Sequence, residues 1–419
     1  YVSCSTVILG VVAGIYPAFY LTAVKAVNLM KGPSLEGTGS FSPRSLLMTL
    51  QFTLSIVLMI CAIASVRQLN FLRHAKLGFS TEQLIQIETP DSFEQEYVLR
   101  ETFKEELLQL SNVLGVTFSP GTPGGFIPIA PVDFRGEKRG LEFMLIDHDY
   151  FDVMNITIEK GQGFTAKKLS YFSGARPEKI DVVVNECLVR ELDLTSPIGQ
   201  SFYREDVNGR RHYMIVGVVK DFHFRSLHHK ISPMMFIHTR PMNIASIKLN
   251  PTDVPSTLKS IEKTWKHVYG DKLFAYTFLD QTFDQQYKSD EQLATIIFWF
   301  TALTLVIACL GLFALSSFMI TRRTKEIGIR KSMGASVKSI YSLLSWIFLR
   351  WIILAITLAC PVAWSITHLW LSKFAYRIPL RYDIFIMAAG LAFVVALLTI
   401  TWQALKAASA NPIKSLRYE

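Results

Sequence analysis

Apolar residues along the 419-residue chain gather into five long runs: Val2–Val24, Leu46–Val66, Thr295–Ile320, Trp351–Leu371 and Ile384–Leu405. Each matches the ~20 apolar residues a helix needs to cross a bilayer. Between the second and third runs, from about Arg67 to Leu293, the pattern changes to short, mixed periods. "LIQIET", "DVVVNE" and "YMIVGVVKDFHF" are rich in branched residues and predict strands. "SFEQEYVLRETFKEELLQLSNV" and "VPSTLKSIEKTWKHVY" show helical spacing, the second with a Pro at its start. "SPGTPGGFIPIAP" predicts a loop from its Gly and Pro content. Val218 and Phe222 are predicted core residues.

Two flanking stretches keep the helical period beyond the membrane. Leu69, Leu72, Ala75 and Phe79 prolong the second run, and Phe283, Tyr287 and Leu293 lead into the third. Both predict helices that leave the bilayer without stopping and form a stalk. Composition agrees: half the residues are hydrophobic, only 18% are charged, and mean hydropathy is positive, against about a quarter charged in soluble domains. The predicted fold class is a membrane protein, an α-helical transmembrane bundle with an inserted extracytoplasmic α+β domain.

Short-loop cations set the orientation. Arg322, Arg323, Lys325, Arg330, Lys331 and Lys338 join runs three and four. Lys25, Lys31 and Arg44 join runs one and two, and Lys406, Lys414 and Arg417 follow run five. All three groups lie opposite the domain, which places the domain outside the cytoplasm. The loop "SKFAYRIPLRYD" on the domain side carries three cations against this trend. Cys4, Cys61, Cys309 and Cys360 fall within runs and Cys187 alone within the domain, so no disulfide forms inside it. The net charge of +9 suits cytoplasmic loops on an anionic lipid bilayer and requires no nucleic acid.

The first run is preceded by no basic stretch, is followed by no small-residue cleavage site, and contains Pro17, unlike a signal peptide. "YPAFYLTAVKAVNLMKG" (Tyr16–Gly32) lies over "WQALKAASANPIKSLRY" (Trp402–Tyr418) without a gap. The expectation is a duplicated membrane protein, in which residues 1–24 are the last transmembrane helix of a first half.

"RRTKEIGIRKSMGAS", Arg322 to Ser336, is the most ordered of the charged loops. Glu326 stands four residues from both Arg322 and Arg330, spacing that pairs charges on one helical face. Ile329, Met333, Val337 and Ile340 make an apolar stripe. Gly334 predicts a helix stop and Ser336 a cap for the next helix. The residues themselves leave two readings open, an anchor on lipid and a docking helix.

Covalent chemistry finds no clear carrier. Asp221, His223, His228 and His229 cluster in sequence but match no zinc spacing, and no metal site is expected. Ser119, Ser196 and Ser226 lie in no nucleophile elbow. The phosphate-binding pattern G-x-x-x-x-G-K-[ST] is missing, so any nucleotide hydrolysis belongs to another chain. Arg350 lies close enough to the cytosolic end of its run to snorkel.

"RRTKEIGIRKSMGAS", "VVVNECLVRELDLTSPIGQ", "IVGVVKDFHFRSLHHKISPMMF" and "NPIKSLRYE" together resemble the FtsX/MacB permease family of type VII ABC systems, in its long two-half form common in Bacteroidota. The resemblance spans nearly the whole chain. It implies a last helix of the first half (1–24), a cytoplasmic linker (25–45) and a transmembrane helix (46–66). A MacB-like periplasmic core domain with its helical stalk follows (67–293), then a transmembrane helix (294–320) and a cytoplasmic coupling loop (321–339). An interfacial run and transmembrane helix (340–371), a short outer loop (372–383), a transmembrane helix (384–405) and a cytoplasmic tail (406–419) complete the plan. It further implies docking on a cytosolic ABC ATPase through Arg322, Arg323, Lys325, Glu326, Ile327, Gly328, Arg330, Lys331, Met333, Gly334, Ala335 and Ser336. The function implied is a non-catalytic permease subunit of the bacterial inner membrane, with no cofactor. It converts ATP hydrolysis by the partner into movement of the outer domain, for export or extraction of a substrate, with a periplasmic adaptor or envelope protein as a further partner. The alternative within the same resemblance is a sensor or regulator of FtsX type, controlling envelope remodelling or an antimicrobial-peptide response.

Overall fold

The computed structural model describes residues 43–75, 77–90, 96–121, 125, 127–165, 179–206, 209–240, 242–322, 326, 329–330 and 333–409. The first apolar run, the linker up to residue 42 and most of the compared repeat lie outside the described residues. Helix α1 (Pro43–Arg73) carries the second run and continues beyond it into the predicted stalk. The chain then builds the outer domain: β1 (Leu84–Glu88), α2 (Glu96–Leu108), β2 (Val113–Ser119), β3 (Ile129–Phe134), β4 (Glu137–Ile146), α3 (Tyr150–Val153), β5 (Ile158–Gly161), β6 (Lys179–Asn185), α4 (Glu186–Glu191), β7 (Ser201–Asp206), β8 (Gly209–Val219), β9 (Met234–His238), β10 (Ile244–Leu249), α5 (Val254–Tyr269) and β11 (Tyr276–Phe278). It returns through α6 (Leu279–Arg322), α7 (Val337–Leu371) and α8 (Tyr382–Ser409).

The outer domain has two cores. An antiparallel sheet of order β11-β1-β10-β2 is covered by α2 and α5. Helix α5 forms where its sequence asks for it: Asp253 accepts from the Ser256 amide at 3.2 Å, Pro255 occupies the first turn, and Ile261, Trp265 and Tyr269 recur every four residues on the buried face. Trp265 meets Phe103 of α2 edge-on at 5.6 Å and donates to the Lys272 carbonyl at 2.9 Å, so its polar edge is satisfied inside the core.

The second sheet has the order β5-β8-β6-β9-β4-β3-β7, and β7 also pairs with β8. Six strands therefore close into a barrel around Val182, Val184, Phe202, Tyr213, Ile215 and Met235, with β5 appended outside the ring. The seam is narrow: β3 meets β7 at one residue pair, Asp133 and Tyr203. The expected loop is shorter than predicted: Ser119 ends β2, and Ile129 to Pro131 are strand because they pair with β4. Pro131 is tolerable there because β3 has a full ladder only with β4. "YMIVGVVKDFHF" also departs: β8 ends at Val219, and residues 220–224 turn away. Val218 and Phe222 are both buried, as expected.

One ion cluster joins the two halves of the domain. Lys104 of α2 reaches Asp147 at 2.7 Å and Asp149 at 2.6 Å, beyond the end of β4, and Asp147 also accepts from Thr117 of β2. Lys104 and Asp147 are almost completely buried. Burial works against the ammonium, but the two carboxylates outweigh it and hold Lys104 above the usual lysine range. Burial likewise pushes the neighbouring Glu101 carboxyl up.

Helices α1, α6, α7 and α8 are each long and apolar enough to cross a membrane. A helix satisfies its own backbone, which lipid cannot do. Helix α1 packs against the other three. Fully buried alanines recur every fourth residue on α7 (Ala355, Ala359, Ala363) and α8 (Ala388, Ala392, Ala396). Small side chains in this spacing let membrane helices approach closely, where packing drives association in the absence of a hydrophobic driving force. The stalk departs from expectation on both arms: α1 stops at Arg73, so Ala75 and Phe79 lie beyond the helix, and on α6 Leu293 is exposed while Ala294 takes the buried position beside it.

Candidate functional site

The described residues of the Arg-rich loop lie between the end of α6 and the start of α7. Helix α6 ends at Arg322, and Glu326, Ile329 and Arg330 are again helical. Glu326 and Arg330 pair at 2.9 Å, the contact their spacing predicts. The turn stops at Gly334, whose φ of +89° lies in the left-handed region that a side chain resists. The Ala335 amide closes back on the Arg330 carbonyl at 2.9 Å, the six-to-one bond of a Schellman stop. Two residues later Ser336 caps α7, accepting from the Ser339 amide at 3.2 Å. Arg323, Lys325, Ile327, Gly328 and Lys331 lie outside the described residues.

The stop at Gly334 breaks the expected stripe. Ile329 and Met333 precede the stop, whereas positions 337 and 340 fall in α7 beyond it, so the four do not lie on one continuous helix. Ile329 and Met333 are 51% and 82% exposed, unusual for apolar side chains in so charged a loop. The run from residue 340 is the first part of α7, which continues without interruption through Pro361. Arg350 is exposed and lies 5.7 Å from the Trp351 ring.

A second constellation forms where the outer domain meets the membrane bundle. Leu72 of α1, Leu227, Tyr287 of α6 and Phe374 pack into one buried cluster. The Tyr287 hydroxyl oxygen accepts from the Leu227 amide at 3.0 Å. The short outer loop runs beside residues 227–228, its Ala375 and Tyr376 amides donating to the His228 and Leu227 carbonyls at 3.2 and 3.4 Å. Gln68 of α1 holds the same loop from below, donating to Tyr376 and accepting from Ile378, both at 2.9 Å. Arg67–Asp383 and Arg73–Glu291 ion pairs flank it. The stalk exit docks on the same turn: the His223 amide donates to the Leu77 carbonyl at 2.7 Å.

The candidate histidine cluster disperses across this junction. His223 meets Tyr376 edge-on at 4.6 Å, and burial pushes its imidazole pKa down, against the pull of Asp221. His228 stacks on Phe374 at 4.5 Å, lies 3.2 Å from Asp290 and contacts the Ser226 hydroxyl at 2.7 Å. His229 is exposed. Asp221 faces the other way, accepting from the Cys187 amide and pairing with Arg190. These residues meet different partners and do not converge on one point. Sequence reasoning weighed this histidine cluster only as a metal candidate, expecting none, and missed that the "KDFHF" segment binds the stalk exit and the outer loop. The signal available was the density of aromatics in both "DFHF" and "KFAY".

Residues 298–412 match the family model described as FtsX-like permease C-terminal, a span that runs from within α6 through the Arg-rich loop, α7 and α8. No curated protein matches the chain. Among solved structures, the periplasmic region of MacB from Actinobacillus actinomycetemcomitans is similar at 15% identity and a TM-score of 0.35, over 50% of this chain and 94% of that one. The extracellular domain of the noncanonic ABC-type transporter YknZ from Gram-positive bacteria is similar at 18% identity and a TM-score of 0.32, over 46% of this chain and 98% of that one.

Proposed function

We propose that the chain is a permease subunit of an ABC transporter of the inner membrane, coupled to a separate cytosolic ATPase. The observation that carries this reading is the match of residues 298–412 to the FtsX-like permease model, because that span contains the Arg-rich loop, the part of α6 that leads into it and the whole of α7. ATP-driven motion of the partner moves the loop between Arg322 and Ser336. Helix α6 runs from that loop to the core of the outer domain without a break, 44 residues in all, and its outer end, Leu279 and Phe283, is buried there. A displacement at the cytosolic face is thus delivered to the outer domain, where a substrate is handled outside the bilayer. The junction of Leu227, His228, Tyr287 and Phe374 keeps the domain and bundle in register as this happens.

Exposed Ile329 and Met333 within a cationic loop suit either a protein groove or a lipid surface as the resting place of this segment. Glu326 separates the two: an anionic membrane repels it, whereas a groove with basic residues holds it. The Glu326–Arg330 pair is partly exposed and contributes at most about 1 kcal/mol, so Glu326→Lys leaves the fold intact while raising the positive charge. The test is co-purification of the ATPase and its turnover in nanodiscs with Glu326→Lys and Gly334→Val. Both variants are expected to insert normally and to lose coupled ATP turnover. Wild-type partner binding and turnover in both would leave the lipid anchor as the role of Arg322–Ser336.

A further inference from the structure

The outer loop at residues 372–381 carries Lys373, Arg377 and Arg381, all exposed. Cations in a short loop on this side oppose the charge bias that orients the helices, so insertion does not explain them. The loop is held rigidly by Gln68 and by residues 227–228 of the outer domain. Lys373 and Arg377 therefore stand on a fixed frame beside the segment that carries Lys230, also exposed.

Three arginines at this level have carboxylate partners: Arg67 with Asp383, Arg73 with Glu291, and Arg225 with Glu142. Lys230, Lys373 and Arg377 pair with no acid among the described residues. The two hydrogen-bonded segments thus carry three cations without a carboxylate partner, and a bound anion would offset that charge. Next to the loop, the last turns of α7 and the first of α8 present Leu369, Ile386 and Tyr382, which are 70%, 69% and 86% exposed. A cationic shelf above an apolar and aromatic wall has the chemistry of an anionic phospholipid, headgroup above and acyl chains below.

We infer that Lys230, Lys373 and Arg377 form a binding site for the headgroup of an anionic phospholipid in the outer leaflet, and that this lipid clamps the outer domain to the membrane bundle. The inference rests on the orientation of the chain and not on the ATPase reading.

The test places the whole chain in nanodiscs of phosphatidylcholine alone or of phosphatidylcholine with phosphatidylglycerol. Amide hydrogen exchange is followed in residues 225–230 and 372–378, and retained lipid is counted by native mass spectrometry. Phosphatidylglycerol is expected to slow exchange in both segments about tenfold. Lys230→Gln/Lys373→Gln/Arg377→Gln should lose that protection and retain less phosphatidylglycerol, whereas Lys338→Gln at the cytosolic face should keep it. Equal thermal midpoints of wild type and triple variant in neutral detergent exclude misfolding as the cause. The inference is overturned by any of three results: indifference of the wild type to phosphatidylglycerol, protection that survives in the triple variant, or equal protection from inorganic phosphate or an acidic peptide in phosphatidylcholine discs.

Discussion

Gly78 and Gly136 share a backbone conformation and differ in surroundings, which makes them a matched pair for weighing the stalk–domain contact. Their φ angles are +87° and +85°. An alanine at either pays for the left-handed conformation, about 1–2 kcal/mol. At Gly136, on the hairpin between β3 and β4, a new Cβ meets nothing within 4 Å. At Gly78 it would lie 2.8 Å from the Phe222 Cβ and 3.0 Å from the Asp221 carbonyl oxygen and the Phe222 Cα. Those are backbone atoms or close to it and cannot swing aside, so the excess cost is that of overpacking, about 1–3 kcal/mol. Gly78→Ala should therefore destabilise by about 2–5 kcal/mol and Gly136→Ala by the strain alone. Hydrogen exchange in residues 220–228 reads the difference: the excess corresponds to local opening about 5- to 150-fold more frequent in Gly78→Ala, with Gly136→Ala close to wild type there. If both variants raise exchange in that segment equally, the stalk exit does not press on the 220–224 turn and the junction is looser than described.

Lys104→Met should strand the buried Asp147 carboxylate without its cation, at about 3–5 kcal/mol, and lower the thermal midpoint of the outer domain. Adding Asp147→Asn should restore most of the loss, and no recovery in the double variant would refute the electrostatic account. Because burial depresses the His223 pKa, the folded junction favours neutral imidazole; its contribution is complete above the ordinary value of about 6.5 and is lost as pH falls through the depressed one. Exchange in residues 372–378 should accordingly quicken on acidification, less so in His223→Asn, and identical pH profiles for the two would exclude His223 as the source.

The elements that sequence pattern located were those whose determinants are local. The apolar runs found all four described membrane helices, and the spacing of Ile261, Trp265 and Tyr269 with Pro255 found α5 at its observed limits. Gly334 and Ser336 marked the break in the Arg-rich loop because a helix stop and a cap each need only a few neighbouring residues. The barrel was hidden for the opposite reason. β9 and β10 are buried runs too short to distinguish strand from helix by period, and the glycines and prolines before Ile129 masked the start of β3. The outer junction was least legible, since Gln68 meets a loop 308 positions away. No window along the chain contains both sides of such a contact.

The length of α6 has a mechanical consequence. Its 44 helical residues extend about 66 Å at 1.5 Å per residue. Treated as a lever pivoting at Arg322, a tilt of about 10° carries Leu279 sideways by about 11 Å, close to the diameter of a helix. Leu279 is fully buried in the outer domain, so the domain is carried with the arm. On the proposed coupling, a tilt of that size at the Arg322 end would become a stroke of about one helix diameter at Leu279, its amplitude set by helix length and tilt angle together.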